Sequence, residues 1–167
     1  EDVMGIILNL KEVIINVDSD DVDFEQKLYL NVQGPAVVTA GDFEKVTGVT
    51  IVNPDLIIAN VNEVGSLSMV VTVRRGVGYV SADENKIHSG NQVGLIAIDS
   101  LYSPILRVAY SIEKTRGDDD ELTLEVETNG AIEAKDAIAM AAKILIDHFD
   151  IIVQISERAG QIEFIKE

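Results

Sequence analysis

The stretch LTLEVETNGAIEAKDAIAMAAKILIDHFDIIV, residues 122–153, changes its hydrophobic period near its centre. Its first part alternates between apolar and polar residues, with Leu122 and Leu124 on the side predicted to face inward, which indicates a half-buried β-strand. After the turn dipeptide Asn129–Gly130, apolar residues recur at steps of three and four, which predicts a helix over about 134–153. A strand that leads directly into a long helix favours an α+β fold.

The predicted helix has more apolar surface than one neighbouring sheet can cover. One set of apolar positions recurs along a single face: Ala134, Ile138, Ala141, Leu145, Phe149 and Ile152. Other apolar residues, among them Met140, Ile144 and Ile151, lie elsewhere on the helical wheel. A helix that is hydrophobic on most sides is buried on more than one side. We therefore expect one face to lie on the strands at 106–127. The other face would meet either a missing N-terminal part of the chain or a second protomer.

The preceding region, residues 12–80, predicts an antiparallel module of short strands. Strand patterns occur at 13–17 and 28–32, and we expect them to pair as a hairpin across the acidic turn DSDDVD. Two further strand patterns follow, at 56–61 and 67–73. The polar stretch 81–94 predicts a long loop.

The first residues predict a helix that ends near Lys11, with Val3, Ile6 and Leu10 on one face. No Ser, Thr or Asn precedes this pattern as a helix cap, and the chain does not begin with Met. We therefore expect the sequence to be a piece of a longer chain.

Composition restricts the functions that this chain can have. Its 167 residues are enough for one domain or two small ones, and 47% of them are apolar. The net charge of −16 repels nucleic acid phosphates, so direct binding to DNA or RNA is not expected. No apolar run reaches the roughly 20 residues that span a bilayer. The absence of cysteine excludes disulfides and weakly favours the cytoplasm.

The segment VTVRRGVGYV, residues 71–80, places two arginines before a Gly-x-Gly, Arg74-Arg75-Gly76-Val77-Gly78. A dinucleotide loop needs a third glycine and a following helix, and a Walker loop needs Gly-Lys-Ser/Thr. Here Tyr79 continues into a strand-like pattern, so no helix N-terminus would face a phosphate. A turn between strands is the better interpretation, and a rigid loop with arginine anchors for a protein partner is a third.

No catalytic or metal site stands out from the residue pattern. The run beginning at Asp18 lacks the Gly and Glu of a calcium-binding EF-hand loop, and the DDDE run at 118–121 is typical of a solvated hairpin tip. His88 and His148 have no cysteine and no evident nucleophile near them in the sequence, and each is more typical of a surface or helix histidine. We expect no cofactor, no metal and no catalytic residue.

Four runs in this order and spacing resemble one known family. They are EDVMGIILNLKEV, VTVRRGVGYVSADENK, VGLIAIDSLYSPILRVAYSIEKTR and LTLEVETNGAIEAKDAIAMAAKIL. Together they resemble the N-terminal domain of bacterial DNA-directed RNA polymerase alpha subunits, over almost the whole chain from Glu1 to about Glu157. The resemblance implies a fragment that lacks the family's first helix region and its C-terminal domain.

The family's architecture implies two lobes. A β-rich insert module that docks the large subunits would occupy residues 1–103, and the second half of a sheet-and-helix dimerisation lobe would occupy 104–155. Residues 156–167 would begin a linker that contains a short strand, QIEFI. By resemblance, the chain belongs to a cytoplasmic nucleotidyltransferase that performs transcription, without supplying catalytic residues itself. Its implied partners are the beta and beta-prime subunits and a second alpha subunit.

The resemblance also implies which residues meet these partners. Lys11 and Ile98 match family positions implicated in docking a large subunit, and other docking residues would lie beside them: Arg74, Arg75, Gly76, Gly78, Tyr79, Asp99, Tyr102 and Pro104. The alpha–alpha interface would use the helical face of Ala134, Ile138, Ala141, Leu145, Phe149 and Ile152. Glu133 stands where the family often has Asp, which predicts a weaker cap for this helix. The alternative function is a small nucleotide- or metal-binding enzyme that uses the loop from Arg74 to Gly78.

Overall fold

The computed structural model describes residues 2–90, 93–115, 117 and 119–155. The predicted linker with its strand QIEFI therefore lies outside the described residues, as does Asp118 of the acidic tip. The described chain divides into two compact units. The first runs to Leu106 and includes Asn129–Ala131, and the second comprises Arg107–Thr128 and the positions from Ile132 onward.

The first unit is rich in short strands, as the hydrophobic alternation predicts. Its elements in chain order are α1 (Val3–Lys11), β1 (Ile15–Val17), β2 (Glu25–Gln33), β3 (Ala36–Thr39), a short 3-10 turn (Ala40–Asp42), β4 (Val49–Ile51), β5 (Ile57–Val61), β6 (Ser66–Arg74), β7 (Tyr79–Val80), α2 (Ala82–His88) and β8 (Ser100–Leu101). The remaining elements are β9 (Ile105–Lys114), β10 (Asp120–Thr128) and α3 (Ala134–Val153). Strands and helices together confirm the α+β class.

Strand pairing joins elements that are distant in sequence. The pairs β1 with β4, β2 with β6, β3 with β5 and β7 with β8 are antiparallel. The predicted hairpin between β1 and β2 is wrong, since β1 pairs with β4 through Ile15 and Ile51. The physical reason is length: β2 and β6 are both nine residues long and pair along their whole extent, from Glu25 opposite Arg74 to Gln33 opposite Ser66. A ladder between β1 and β2 would be far shorter, because β1 has only three residues.

The core of the first unit forms where these strand pairs bring apolar side chains together. In β2, exposure alternates so that Leu28 and Leu30 are buried while Tyr29 between them is half exposed. The buried apolar residues that the structure describes all lie in this unit: Leu28, Leu30, Val38, Ala40, Phe43, Ile58, Ala59 and Val73.

Two local predictions for this unit are wrong. Helix α2, Ala82–His88, stands in the first part of the loop predicted at 81–94, because Ser81 and Glu84 form a capping box that satisfies free backbone groups at the helix start. The missing cap of α1 is supplied by Asp2, whose Oδ1 accepts a hydrogen bond from the backbone N of Gly5 at 2.6 Å. Both signals were present in the sequence, as Ser-x-x-Glu and as an acidic N-cap residue.

The second unit contains β10, α3 and all of β9 except Ile105 and Leu106. Helix α3 has the predicted extent, Ala134–Val153. The predicted weak cap is confirmed, because the side chain of Glu133 makes no capping hydrogen bond. The expected burial of the strands is wrong for Leu122 and Leu124, which are 58% and 45% exposed. Although α3 contacts β10, both side chains stay accessible to solvent in the described part of the chain. None of the described helices is long and apolar enough to cross a membrane.

Candidate functional site

The segment RRGVG is a loop between strands. Strand β6 ends at Arg74 and β7 begins at Tyr79, so the chain leaves the loop as a strand. Gly78 has a φ of +67°, in the left-handed region that favours glycine, and its carbonyl accepts a hydrogen bond from the N–H of Tyr102 at 2.8 Å. No helix N-terminus follows directly, so the loop lacks the array of free N–H groups with which such termini hold a phosphate.

Both arginines of this loop bind groups within the chain. Arg74 stands opposite Glu25 in the β2–β6 ladder, and its Nε and Nη2 lie 2.8 and 2.7 Å from Glu25 Oε2. Arg75 Nη1 donates to the carbonyl oxygens of Ser19 and Asp21, at 2.7 and 3.2 Å. Arg75 thus connects the acidic turn at 18–23 to the end of β6 through these two hydrogen bonds. These contacts give both side chains a structural role.

Strand β8 brings the second predicted docking segment beside this loop. Tyr79 lies opposite Leu101, and Val80 lies opposite Ser100. Opposite residues on neighbouring strands project to the same face of the sheet. Tyr79 and Leu101 are 64% and 69% exposed there, and Val77 in the preceding loop is 92% exposed. The β7–β8 pair therefore presents an apolar surface.

Lys11 and Asp99 form an ion pair, Nζ to Oδ1, between the last residue of α1 and the residue before β8. The hydrogen bond from Lys11 holds the pKa of Asp99 below its usual range, and the backbone N–H of Asp99 adds to this effect. The end of α1 is in turn fixed by Asn53, whose Nδ2 donates to the carbonyl of Glu12 at 3.0 Å. Lys11 and Asp99 were both predicted docking residues, and the structure brings their charged groups together.

Sequence reasoning missed one residue of this surface, Asn85 of α2. Its Nδ2 donates to the carbonyl of Ile98 at 2.8 Å and to Ser100 Oγ at 3.0 Å. The side chain of Ile98 is partly buried. The capping box before Asn85 could have revealed the helix, but a sequence pattern contains no information about the distant carbonyl that Asn85 binds.

Pro104 lies where the first unit continues into β9, and it is partly buried. Its carbonyl accepts a hydrogen bond from the N–H of Asn129 at 2.9 Å. The predicted docking residues thus occupy several local settings. Lys11 and Asp99 form an ion pair next to Ile98, and the β7–β8 pair adjoins the two glycines and Tyr102. Arg74 lies in the β2–β6 ladder, Arg75 binds the acidic turn, and Pro104 precedes β9.

The predicted dimer face lies in the second unit, on α3. Most of its side chains are exposed, with Ile138 at 38%, Leu145 at 58%, Phe149 at 61% and Ile152 at 60%. Ala141 is also exposed, and Ala134 is partly buried. Lys143 and Asp147, which form an exposed ion pair at 2.6 Å, lie on the opposite side of the helix at about 100° per residue. This face is therefore apolar and uncovered in the described part of the chain.

The rest of the described surface has few features that suggest a ligand or metal site. An open depression of about 270 Å³ is lined by Ile6 and by residues of β5, β6 and their connection, and none of the lining side chains is titratable. In the described ranges, no three His, Asp or Glu side chains are placed to hold a metal ion. His148 contacts the carbonyl of Ile144 in its own helix, with Nδ1 at 2.8 Å.

Comparison with known proteins gives one consistent match. Residues 1–103 match the family model of the RNA polymerase Rpb3/RpoA insert domain. Over 167 residues the chain is 50% identical to the DNA-directed RNA polymerase subunit alpha of Aster yellows witches'-broom phytoplasma and to that of Onion yellows phytoplasma, covering 100% of this chain and 51% of each relative. The corresponding subunit of Leuconostoc mesenteroides is 45% identical over 172 aligned positions, covering 54% of that relative. The chain spans about half the length of these curated relatives.

Proposed function

Because the chain belongs to the bacterial RNA polymerase alpha-subunit family, with an Rpb3/RpoA insert domain at residues 1–103, we propose that it is an assembly subunit of that enzyme. In this role it contributes surfaces and no catalytic group. The insert module at 1–103 docks the beta and beta-prime subunits, and the region at 104–155 contributes to an alpha–alpha interface. The proposed location is the cytoplasm, and the net charge of −16 argues against direct nucleic acid binding.

The observation that supports docking most strongly is the ion pair between Lys11 and Asp99. The two residues come from distant parts of the chain, and the family resemblance implies a docking role for each. Beside Asp99, the chain enters β8 and exposes Leu101 together with Tyr79. A patch of exposed apolar side chains bordered by charges is typical of a protein–protein contact.

Binding of purified beta subunit to the chain tests this docking surface. We expect Ile98→Asp to weaken binding strongly, because it places a charge in a partly buried position beside Asp99. Lys11→Ala should weaken it as well, because it leaves Asp99 without its counter-ion. Lys45→Ala is the matched control, since Lys45 is an exposed lysine of the same unit. Unchanged binding of both site variants would refute the assignment of this surface.

The proposed alpha–alpha interface rests on the exposed apolar face of α3. Exposed apolar side chains along one helical stripe, opposite the polar Lys143 and Asp147, form the kind of surface that a second helix covers. Sedimentation of the chain at increasing concentration tests it. We expect self-association that Leu145→Lys abolishes. The control Met140→Lys, on another side of the helix, should preserve it, and equal effects of both variants would contradict a specific face.

A further inference from the structure

One amide side chain links helix α2 to the segment that contains Ile98 and Asp99. Asn85 Nδ2 donates to the carbonyl of Ile98 at 2.8 Å and to Ser100 Oγ at 3.0 Å. An asparagine amide has two N–H donors, so both are used here. The two acceptors belong to the residues on either side of Asp99, and Asn85 therefore holds this residue from both directions along the chain.

We infer that Asn85 is the positioning residue of the docking surface. By holding Ile98 and Ser100, it keeps the Asp99 carboxylate beside Lys11 and orients the Ile98 side chain for the polymerase's beta subunit. This inference rests on the proposed docking function and adds to it a residue that acts through others, without itself contacting the partner.

The need for such a residue follows from the irregular backbone before β8. Residues 93–99 belong to no helix or strand, so no strand ladder fixes the direction of Asp99. Strand β8 is two residues long, and its pairing with β7 holds Ser100 opposite Val80. The hydrogen bond from Asn85 to Ile98 extends this support beyond the end of the ladder, to the other side of Asp99.

Helix α2 is anchored well enough to serve as the support. Glu84 Oε2 accepts from the N–H and the hydroxyl of Ser81, at 2.9 and 3.0 Å, and Ser81 Oγ accepts from the N–H of Glu84 at 3.3 Å. At the other end, the hydroxyl of Ser89 donates to the carbonyl of Asn85 at 2.8 Å. A helix of seven residues is marginal by itself, so these contacts and the link to β8 stabilise it.

The variant Asn85→Leu tests the inference, because leucine keeps the approximate shape and removes both donors. Leucine also favours helix more than asparagine does, so α2 is not weakened by propensity. We expect binding of the beta subunit to weaken about tenfold, as the loss of one to two hydrogen bonds implies. Lys86→Ala, an exposed neighbour on the same helix, should leave binding unchanged.

A second measurement separates positioning from general stability. NMR titration of the Asp99 side chain reports how firmly its carboxylate is held beside Lys11. We expect Asn85→Leu to raise the pKa of Asp99 towards its usual value, while the amide signals of the core residues Leu30 and Ile58 keep their positions. If the amide signals of Leu30 and Ile58 shift or lose intensity, the variant is unfolding, and this result would overturn the positioning role.

A double-mutant cycle with Ser100→Ala completes the test. If Asn85 acts through Ser100, the effects of the two substitutions on beta binding are non-additive. Wild-type binding by Asn85→Leu, alongside weakened binding by Lys11→Ala, overturns this inference and leaves the docking proposal intact. Wild-type binding by Lys11→Ala and Ile98→Asp refutes the docking surface itself. An unmoved Asp99 titration in Asn85→Leu overturns the inference whatever the binding result.

Discussion

The ring of Tyr102 lies directly against Gly76, in the place that a side chain at position 76 would occupy. A Cβ built on Gly76 would lie 2.5 Å from Tyr102 Cε2 and 2.6 Å from Cδ2. The N–H of Tyr102 also binds the carbonyl of Gly78. The glycine at position 76 thus serves close packing against an aromatic ring, and the Gly-x-Gly pattern has a structural cause that involves no phosphate.

Substitution of Gly76 by alanine should destabilise the first unit. The added methyl group must displace the Tyr102 ring, and overpacking of this kind costs about 1–3 kcal/mol in the free energy of unfolding. Chemical denaturation measures the effect. Val77→Ala is the control in the same loop, because the side chain of Val77 is 92% exposed. In a Tyr102→Ala background the penalty of Gly76→Ala should disappear, and its persistence would contradict the steric explanation.

The Lys11–Asp99 pair should make stability depend on acid pH. The folded chain has a lower pKa at Asp99 than the unfolded chain, because Lys11 donates to the carboxylate. The stabilisation is therefore present above the unfolded pKa and is lost as the pH falls through the folded pKa. Denaturation of wild type and Lys11→Ala between pH 7 and about pH 2 should show a small difference that vanishes with acid. A difference that stays constant over this range would exclude the ion pair as its source.

Loss of Arg75 should release the acidic turn that precedes β2. Arg75→Ala removes the hydrogen bonds to Ser19 and Asp21, with an expected loss of about 1 kcal/mol in stability. Hydrogen exchange should accelerate at the N–H of Phe24, which binds the carbonyl of Asp21, and remain slow at Leu30 in the core. Arg107→Ala, which removes an exposed ion pair of the second unit, should leave Phe24 unaffected. Unaltered exchange at Phe24 in Arg75→Ala would show that the turn holds its shape without this arginine.

Two adjacent isoleucines of β5 should respond differently to the same change. Ile58 is fully buried, whereas Ile57 is 50% exposed. Removal of one methylene by Ile58→Val should cost about 0.5–1.5 kcal/mol, because the core cannot close the space completely. Ile57→Val should cost clearly less, and thermal denaturation of both variants provides the comparison. Equal losses of stability in the two variants would contradict the difference in burial between Ile57 and Ile58.

A better N-cap residue should stabilise the first turn of α3. Glu133 occupies the N-cap position without a capping hydrogen bond, so Glu133→Asp should stabilise the helix by about 0.5–2 kcal/mol. Slower hydrogen exchange in the first turn, near Ala137, would report the effect. Glu133 also pairs with Lys135, and any substitution at position 133 alters that pair. Glu133→Gln is therefore the control, because glutamine keeps the longer side chain. An equal gain from both variants would show that capping by the shorter side chain is not the cause.

Much of the local structure can be read from hydrophobic period and turn residues. Helix α3 has the predicted bounds, and the strands β5 and β6 lie at the predicted positions within a few residues. The alternation in β2 also predicts which of its residues are buried. These features depend on neighbours a few positions away, so the sequence pattern contains them directly. Helix α2 belongs with them, because its capping box of Ser81 and Glu84 is also a local pattern.

Pairing between distant residues follows from no local pattern. The choice of β4 as the partner of β1, and of β6 as the partner of β2, depends on which arrangement buries the most apolar surface along the longest ladders. The positions of Arg74 and Arg75 were evident in the sequence, but their acceptors Glu25, Ser19 and Asp21 were not. A side chain's partner is set by the path of the whole backbone.

The sequence by itself determined the family, the α+β class, the extent of the long helix and the reading of VTVRRGVGYV as a strand, loop and strand. Tertiary structure alone decided that Tyr102 fills the space left by Gly76, that Lys11 meets Asp99 and that Asn85 holds the residues around it. The physical reason is the range of the forces involved: helix and strand periods are set within a few residues, whereas close packing and charge pairing require groups that only the folded chain brings into contact.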